Sequence, residues 1–206
     1  MIIKPIKQLC KKLSIKKEKN IVENRVLVVV DVQEDFVRGV FGSEAARSVV
    51  PNICNKIKNF DGKNIFVTMD IHGADYEKSI EGQLLPKHCF ALSKGSLIED
   101  TVVNAINTKE IERGTDYFKN VYKTTFGSLD LAIEMEEYVE NNDIDVIEVV
   151  GLCTDICVIS NVLMLRAACP NTRIVVDADC CAGSTPVNHI CALKVMEQNC
   201  IEIIGG

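Results

Sequence analysis

The sequence predicts an α/β domain: a three-layer sandwich whose central, mainly parallel sheet carries helices on both faces. Two observations lead there. Runs such as VLVVVD (26–31) are apolar and β-branched without alternation, as strands buried on both faces require. Helical segments separate these runs, and strand–helix alternation implies crossover connections between parallel neighbours.

Taken in order, the elements are as follows. VLVVVD (26–31) is the first strand, residues 44–59 a helix, and NIFVTMD (64–70) a second buried strand. Residues 71–116 are glycine-rich and polar with weak periodicity, and are expected to form loops with short helices. NVYK (120–123) is a short strand, followed by a helix over 129–142 and the strand DVIEVVG (145–151). A helix over 155–169, the strand TRIVVDA (172–178), a helix over 186–199 and a last strand, CIEIIG (200–205), complete the chain.

At 206 residues with 47% hydrophobic content, the chain has enough material for one substantial core. There is no Trp and aromatics are only 5%, so that core is aliphatic with cysteine. A formal net charge of -6 argues against nucleic acid as a partner. Ten cysteines in a chain without a signal-like apolar start read as reduced thiols of a cytoplasmic protein. No segment here is a membrane span, which argues against a membrane partner.

Residues 1–24 form a basic N-terminal extension ahead of a domain at 25–206. The first twenty residues hold seven lysines against one glutamate, with Ile2, Ile6, Leu9 and Leu13 at helical spacing. A membrane-surface or partner helix is one reading; a solvated helix packed on its own domain is the favoured one.

Sites in parallel sheets gather where strands end. Asp31, Asp70, the loop after Gly151 and the pair Asp177/Asp179 are the positions expected there. In GLCTDICV (151–158), Thr154 is expected to cap the following helix and Cys157 to sit in its first turn. Free amides and the helix dipole would there favour a thiolate and could stabilise an oxyanion. Plain packing is the competing reading for both Cys153 and Cys157. Asp31 ends an apolar strand, where burial would raise its pKa and make it a usable base; a loop cap is the alternative. Lys123 ends a short strand and could pair with Asp31 in a cleft. Asp70, His72 and His88 could converge on one ion and leave open positions, or be solvated loop residues. His189, within a helix, reads as structural. GxGxxG, GxxxxGK[ST] and CxxC are absent, so no nucleotide or organic cofactor is expected.

In this order along 25–206, DVQEDF, DIH, PKHC, the lysine after a short strand, GLCTDICV and VVDADCCAG resemble the isochorismatase-like cysteine hydrolases, nicotinamidases above all. The resemblance implies an Asp31–Lys123–Cys157 triad that hydrolyses a small-molecule amide through a thioester, with nicotinamide to nicotinate as the leading reaction. It implies an oxyanion hole of the Cys153 and Cys157 amides, and a cis peptide at Leu152–Cys153. A divalent ion (Zn, Fe or Mn) would be held by Asp70, His72 and His88, and the protein would be a homo-oligomer. Phe36 supplies one expected aromatic wall; Leu85 stands where the family usually has a stacking Trp, and Leu92-Ser93 where it has Gly-Thr. That change keeps a ureido, carbamoyl or non-aromatic amide as the alternative substrate. A non-catalytic interaction protein on the same fold is the reading from a different class.

Overall fold

A computed structural model describes residues 23–206; the expected basic helix lies outside the described residues. Six parallel strands form one sheet in the order β3-β2-β1-β4-β5-β6. They are β1 (Arg25–Val30), β2 (Ile65–Asp70), β3 (Phe118–Lys123), β4 (Val146–Leu152), β5 (Arg173–Ala182) and β6 (Glu202–Ile204).

Alternation along β1 shows how the layers arise. Leu27 and Val29 point to one face, where they meet Ile53 and Ile57 of α2 (Glu44–Asn59) and Val102 of α4 (Asp100–Arg113). Val26, Val28 and Val30 point to the other. There they meet Leu131 and Met135 of α5 (Leu129–Asn142), Leu165 of α6 (Ile159–Ala168) and Met196 of α7 (Pro186–Gln198). All of these side chains are buried, so the sheet is covered on both faces as the apolar runs require. Two short helices, α1 (Glu34–Val37) and α3 (Ile80–Leu84), lie in the loops after β1 and β2.

Side-chain caps start the longer helices. Ser43 Oγ accepts from Ala46 N, Ser128 Oγ from Leu131 N and Thr185 Oγ1 from Asn188 N. Buried Glu99 caps α4 through Thr101 N and Val102 N, and is paired with Arg38.

Three expectations need correction. Residues 71–116 contain the 14-residue helix α4, hidden because it buries only Val102, Ala105 and Lys109 and so has no clear apolar stripe. β5 runs on to Ala182, so Asp177 lies within the strand and away from its end; it is tied to Lys56 of α2 at 2.8 Å, beside Glu148. The helix expected from residue 155 begins as a separate π-turn, Thr154–Val158.

The strand order reverses between β1 and β4, where a crevice forms at the C-terminal ends. Gly151 makes that crevice tight: its φ is +127°, and a Cβ there would collide with the Val30 carbonyl oxygen of β1. Gly151→Ala should lower unfolding free energy by about 1–3 kcal/mol. A urea titration reads this as a lower midpoint at unchanged slope; an unchanged midpoint would show that β1 and β4 tolerate a side chain between them.

Candidate active site

Three strand ends bring charge into the crevice. Register pairs Asp70 of β2 with Lys123 of β3, and Val30 of β1 with Thr68 of β2, so Asp31 emerges beside both. Asp31 is fully buried, with a left-handed φ of +47°. Its N–H and its Oδ1 are both bound to Thr68 Oγ1, at 3.2 and 2.6 Å. Its Oδ2 lies 2.7 Å from Lys123 Nζ. The same ammonium lies 3.6 Å from Asp70 Oδ1, donates to Thr125 O at 3.0 Å, and stands 4.0 Å from Cys157 Sγ. Asp31, Lys123 and Cys157 therefore share one buried centre.

Burial pushes the Asp31 carboxyl above its ordinary value, and Lys123 works against that rise. Burial also opposes the Lys123 charge, yet Asp31 holds the lysine well above its usual range. Burial, with the Asp31 charge added, pushes the Cys157 thiol well up despite Lys123. Here the helix-end argument for a thiolate fails. Burial thus holds Cys157 toward the thiol form.

The turn carrying Cys157 departs from the expected N-cap. Cys153 occupies the cap position without a side-chain bond, and its carbonyl accepts from both Ile156 N (3.0 Å) and Val158 N (3.1 Å). Cys157 N–H is not bound to that carbonyl, an arrangement typical of the wide π-turn. Thr154 caps nothing; its Oγ1 is bound to His189 Nδ1 at 2.8 Å. The Leu152–Cys153 peptide is cis. Asn161 ties the turn to the next loop by donating to Cys157 O and Phe126 O and accepting from Ser128 N.

Across the cavity, Asp70 Oδ2 lies 3.0 Å from His72 Nε2 and 3.2 Å from His88 Nε2. Glu81 Oε1, from α3, is 3.5 Å from both imidazoles. Ligand atoms of these four residues all lie within 4.8 Å of one another. Pro86 O at 3.0 Å can only accept, so it takes the His88 Nδ1 proton and fixes the ring with Nε2 toward Asp70. Asp70 Oδ1 and Glu81 Oε1 are buried with no hydrogen bond. Such a centre demands positive charge. Burial lowers the His88 pKa, but its bond to Asp70 outweighs this and holds it raised. Burial, then Asp70, pushes Glu81 up. Two imidazoles and two carboxylates suit a divalent ion such as zinc, iron or manganese. The residues present fit it.

Cys157 of the first group and Asp70 and His88 of the second line one cavity of about 170 Å³. It is well below the roughly 300–1,000 Å³ of pockets for drug-sized ligands. Cys157, Asp70 and His88 line its depth; Phe36, Phe41, Leu85, Phe126 and Ile156 form its walls. Phe36 and Phe41 are nearly parallel, at 10° and 5.9 Å, and Phe41 lies edge-on to His88 at 4.8 Å.

Sequence reasoning missed Glu81, Phe41, Phe126 and Gln33. Gln33 is fully buried, and its side-chain amide donates to Asp70 O and accepts from Asp70 N–H, so it fixes the end of β2. A glutamine buried by an apolar strand was a readable signal, since it must find partners. For Glu81 no local signal existed.

Known proteins share this fold. A nicotinamidase from Schizosaccharomyces pombe is 26% identical over 205 aligned residues, covering 87% of this chain and 92% of the relative. The crystal structure of nicotinamidase/pyrazinamidase PncA from Bacillus subtilis shares the fold with a TM-score of 0.74 at 22% identity, covering 88% of this chain and all 100% of that one. Pyrazinamidase of Pyrococcus horikoshii in complex with zinc does so at 0.71 and 21%, covering 89% and 99%. The isochorismatase domain model matches residues 25–206, and the chain belongs to the isochorismatase family as a nicotinamidase-like hydrolase of amide bonds.

Proposed function

We propose that the protein hydrolyses the carboxamide of a small planar amide, nicotinamide first among them, to the acid and ammonia. One observation carries the reading: Cys157, in contact with the Lys123–Asp31 pair, and Asp70 and His88, of the quartet with His72 and Glu81, line one small, aromatic-walled cavity. The relative from S. pombe, named nicotinamidase, supports the same reaction.

Asp31 takes the proton of the Cys157 thiol as sulfur bonds to the amide carbon. The raised thiol pKa makes that base necessary, and the raised carboxyl pKa makes Asp31 able to hold the proton. The carbonyl oxygen, now an anion, accepts from the Cys153 and Cys157 amides. Collapse breaks the C–N bond, Asp31 returns the proton to nitrogen, and ammonia leaves a thioester. Water then gives a proton to Asp31 and attacks; collapse releases the acid, and the sulfur regains its proton. Lys123 keeps Asp31 and Cys157 in register and balances the negative charge. When bound by Asp70, His72, Glu81 and His88, a divalent ion supplies a Lewis acid for the ring nitrogen of a pyridine amide. Phe36 and Phe41 offer the flat wall against which such a ring packs.

Leu85 on the cavity wall favours a second reading, a ureido, carbamoyl or non-aromatic amide, because an aliphatic side chain gives no stacking face.

Purified protein should release ammonia from nicotinamide, and Cys157→Ala should lose at least about 10³-fold in kcat while melting at the wild-type temperature. Residual turnover near wild type in that variant would sink the mechanism, and release from ureido compounds alone would select the second reading. Removing divalent ions with a chelator should abolish activity and zinc should restore it. Glu81→Gln should weaken zinc binding by about tenfold or more, measured by competition with a chromophoric chelator. Unaltered affinity would remove Glu81 from the ligand set.

A further inference from the structure

We propose that His189 is a positioning residue for the amide hydrolysis: through Thr154 it holds the turn whose backbone N–H groups receive the substrate's oxyanion. The inference rests on the reaction proposed above and concerns a histidine that reaction does not use.

Thr154 is the first residue of the π-turn and is fully buried. Among the described residues, the side-chain hydrogen bond of its hydroxyl is the one to His189 Nδ1, at 2.8 Å. A buried hydroxyl proton needs an acceptor. If Nδ1 carried a proton, it would donate to Oγ1 and leave the hydroxyl proton unmatched. The pairing therefore assigns the lone pair to Nδ1 and the proton to Nε2. Burial lowers the His189 pKa, with Asp155 opposing, so the ring is held toward its neutral form.

The bond matters because of what the turn lacks. Cys153, at the cap position, makes no side-chain bond to the turn's amides. Its carbonyl is fixed by Ile156 and Val158, but the Thr154 side chain is steered from outside, by α7. That helix is itself held close. A Cβ at Gly183 would lie 2.8 Å from His189 Cβ and 2.9 Å from its backbone N, so only glycine lets the end of β5 approach there. Gly183, His189 and Thr154 thus form a strut from β5 through α7 to the turn between Cys153 and Cys157. Moving those two amides by a fraction of an ångström weakens oxyanion stabilisation while leaving the Cys157 sulfur in the cavity.

Two reactions of one sulfur separate these effects. Amide hydrolysis passes through an oxyanion; alkylation by iodoacetamide forms the S–C bond as iodide leaves and needs no oxyanion hole. In His189→Ala, kcat for nicotinamide should fall about 10–100-fold with KM within about threefold. Alkylation of Cys157, followed by peptide mass mapping, should stay near the wild-type rate. His189→Asn, whose Oδ1 replaces the Nδ1 acceptor, should recover most of kcat. Thr154→Val should match His189→Ala, and the double variant should be no worse than either; it also carries the test if His189→Ala does not fold. Full kcat in both single variants would overturn the proposal, as would alkylation falling in step with kcat. An inactive wild type would instead sink the hydrolysis of nicotinamide itself, and this inference with it.

Discussion

The buried ion pair between Lys123 and Asp31 is the interaction on which the rest of the site depends. Two carboxylates, Asp31 and Asp70, end neighbouring strands with almost no exposure, and Lys123 from the third strand reaches both. Breaking such a pair by removing one partner costs roughly 3–5 kcal/mol, against about 1 for a helix cap, so it dominates the local energetics. The sheet register places the lysine, since Asp70 and Lys123 are direct neighbours across β2 and β3. The chemistry is thus an extension of strand pairing. The same register places the lysine 4.0 Å from the Cys157 sulfur.

The cavity divides its work between stiff and adaptable parts. Asp31, Asp70 and Lys123 come from strand ends, where backbone bonds leave little freedom. Walls come from loops: Phe36 and Phe41 after β1, Leu85 after β2, Phe126 after β3. Changing a wall alters which amide fits, while the register that sets Asp31, Asp70 and Lys123 stays as it is. The Leu85 position shows this separation, because an aliphatic wall there coexists with an intact charged centre.

The central strands were legible because burial on both faces makes their runs almost wholly apolar, and strand ends then marked Asp31, Asp70 and Lys123. Less was legible where the physics is not local. Glu81 reaches His72 and His88 only because a 3-10 turn at Tyr76–Lys78 and the short α3 fold the loop back. Nothing in its neighbours along the chain marks it. Thr154-Asp155 looks like a helix start, and only the double acceptance at Cys153 O reveals a π-turn. Helix α4 went unseen because three buried side chains in fourteen residues leave no stripe to read. His189 read as structural for want of any sign that Thr154 would turn toward it.

The raised thiol pKa of Cys157 bears on survival in air as well as on turnover. Oxidants attack the thiolate, and a sulfur that burial holds toward the thiol, 2% exposed in a cavity with aromatic walls, offers them little. Of the nine described cysteines, all free, Cys191 and Cys200 are the exposed ones. The thiols that meet solvent are thus not the one in the crevice, whose burial shelters it from oxidants.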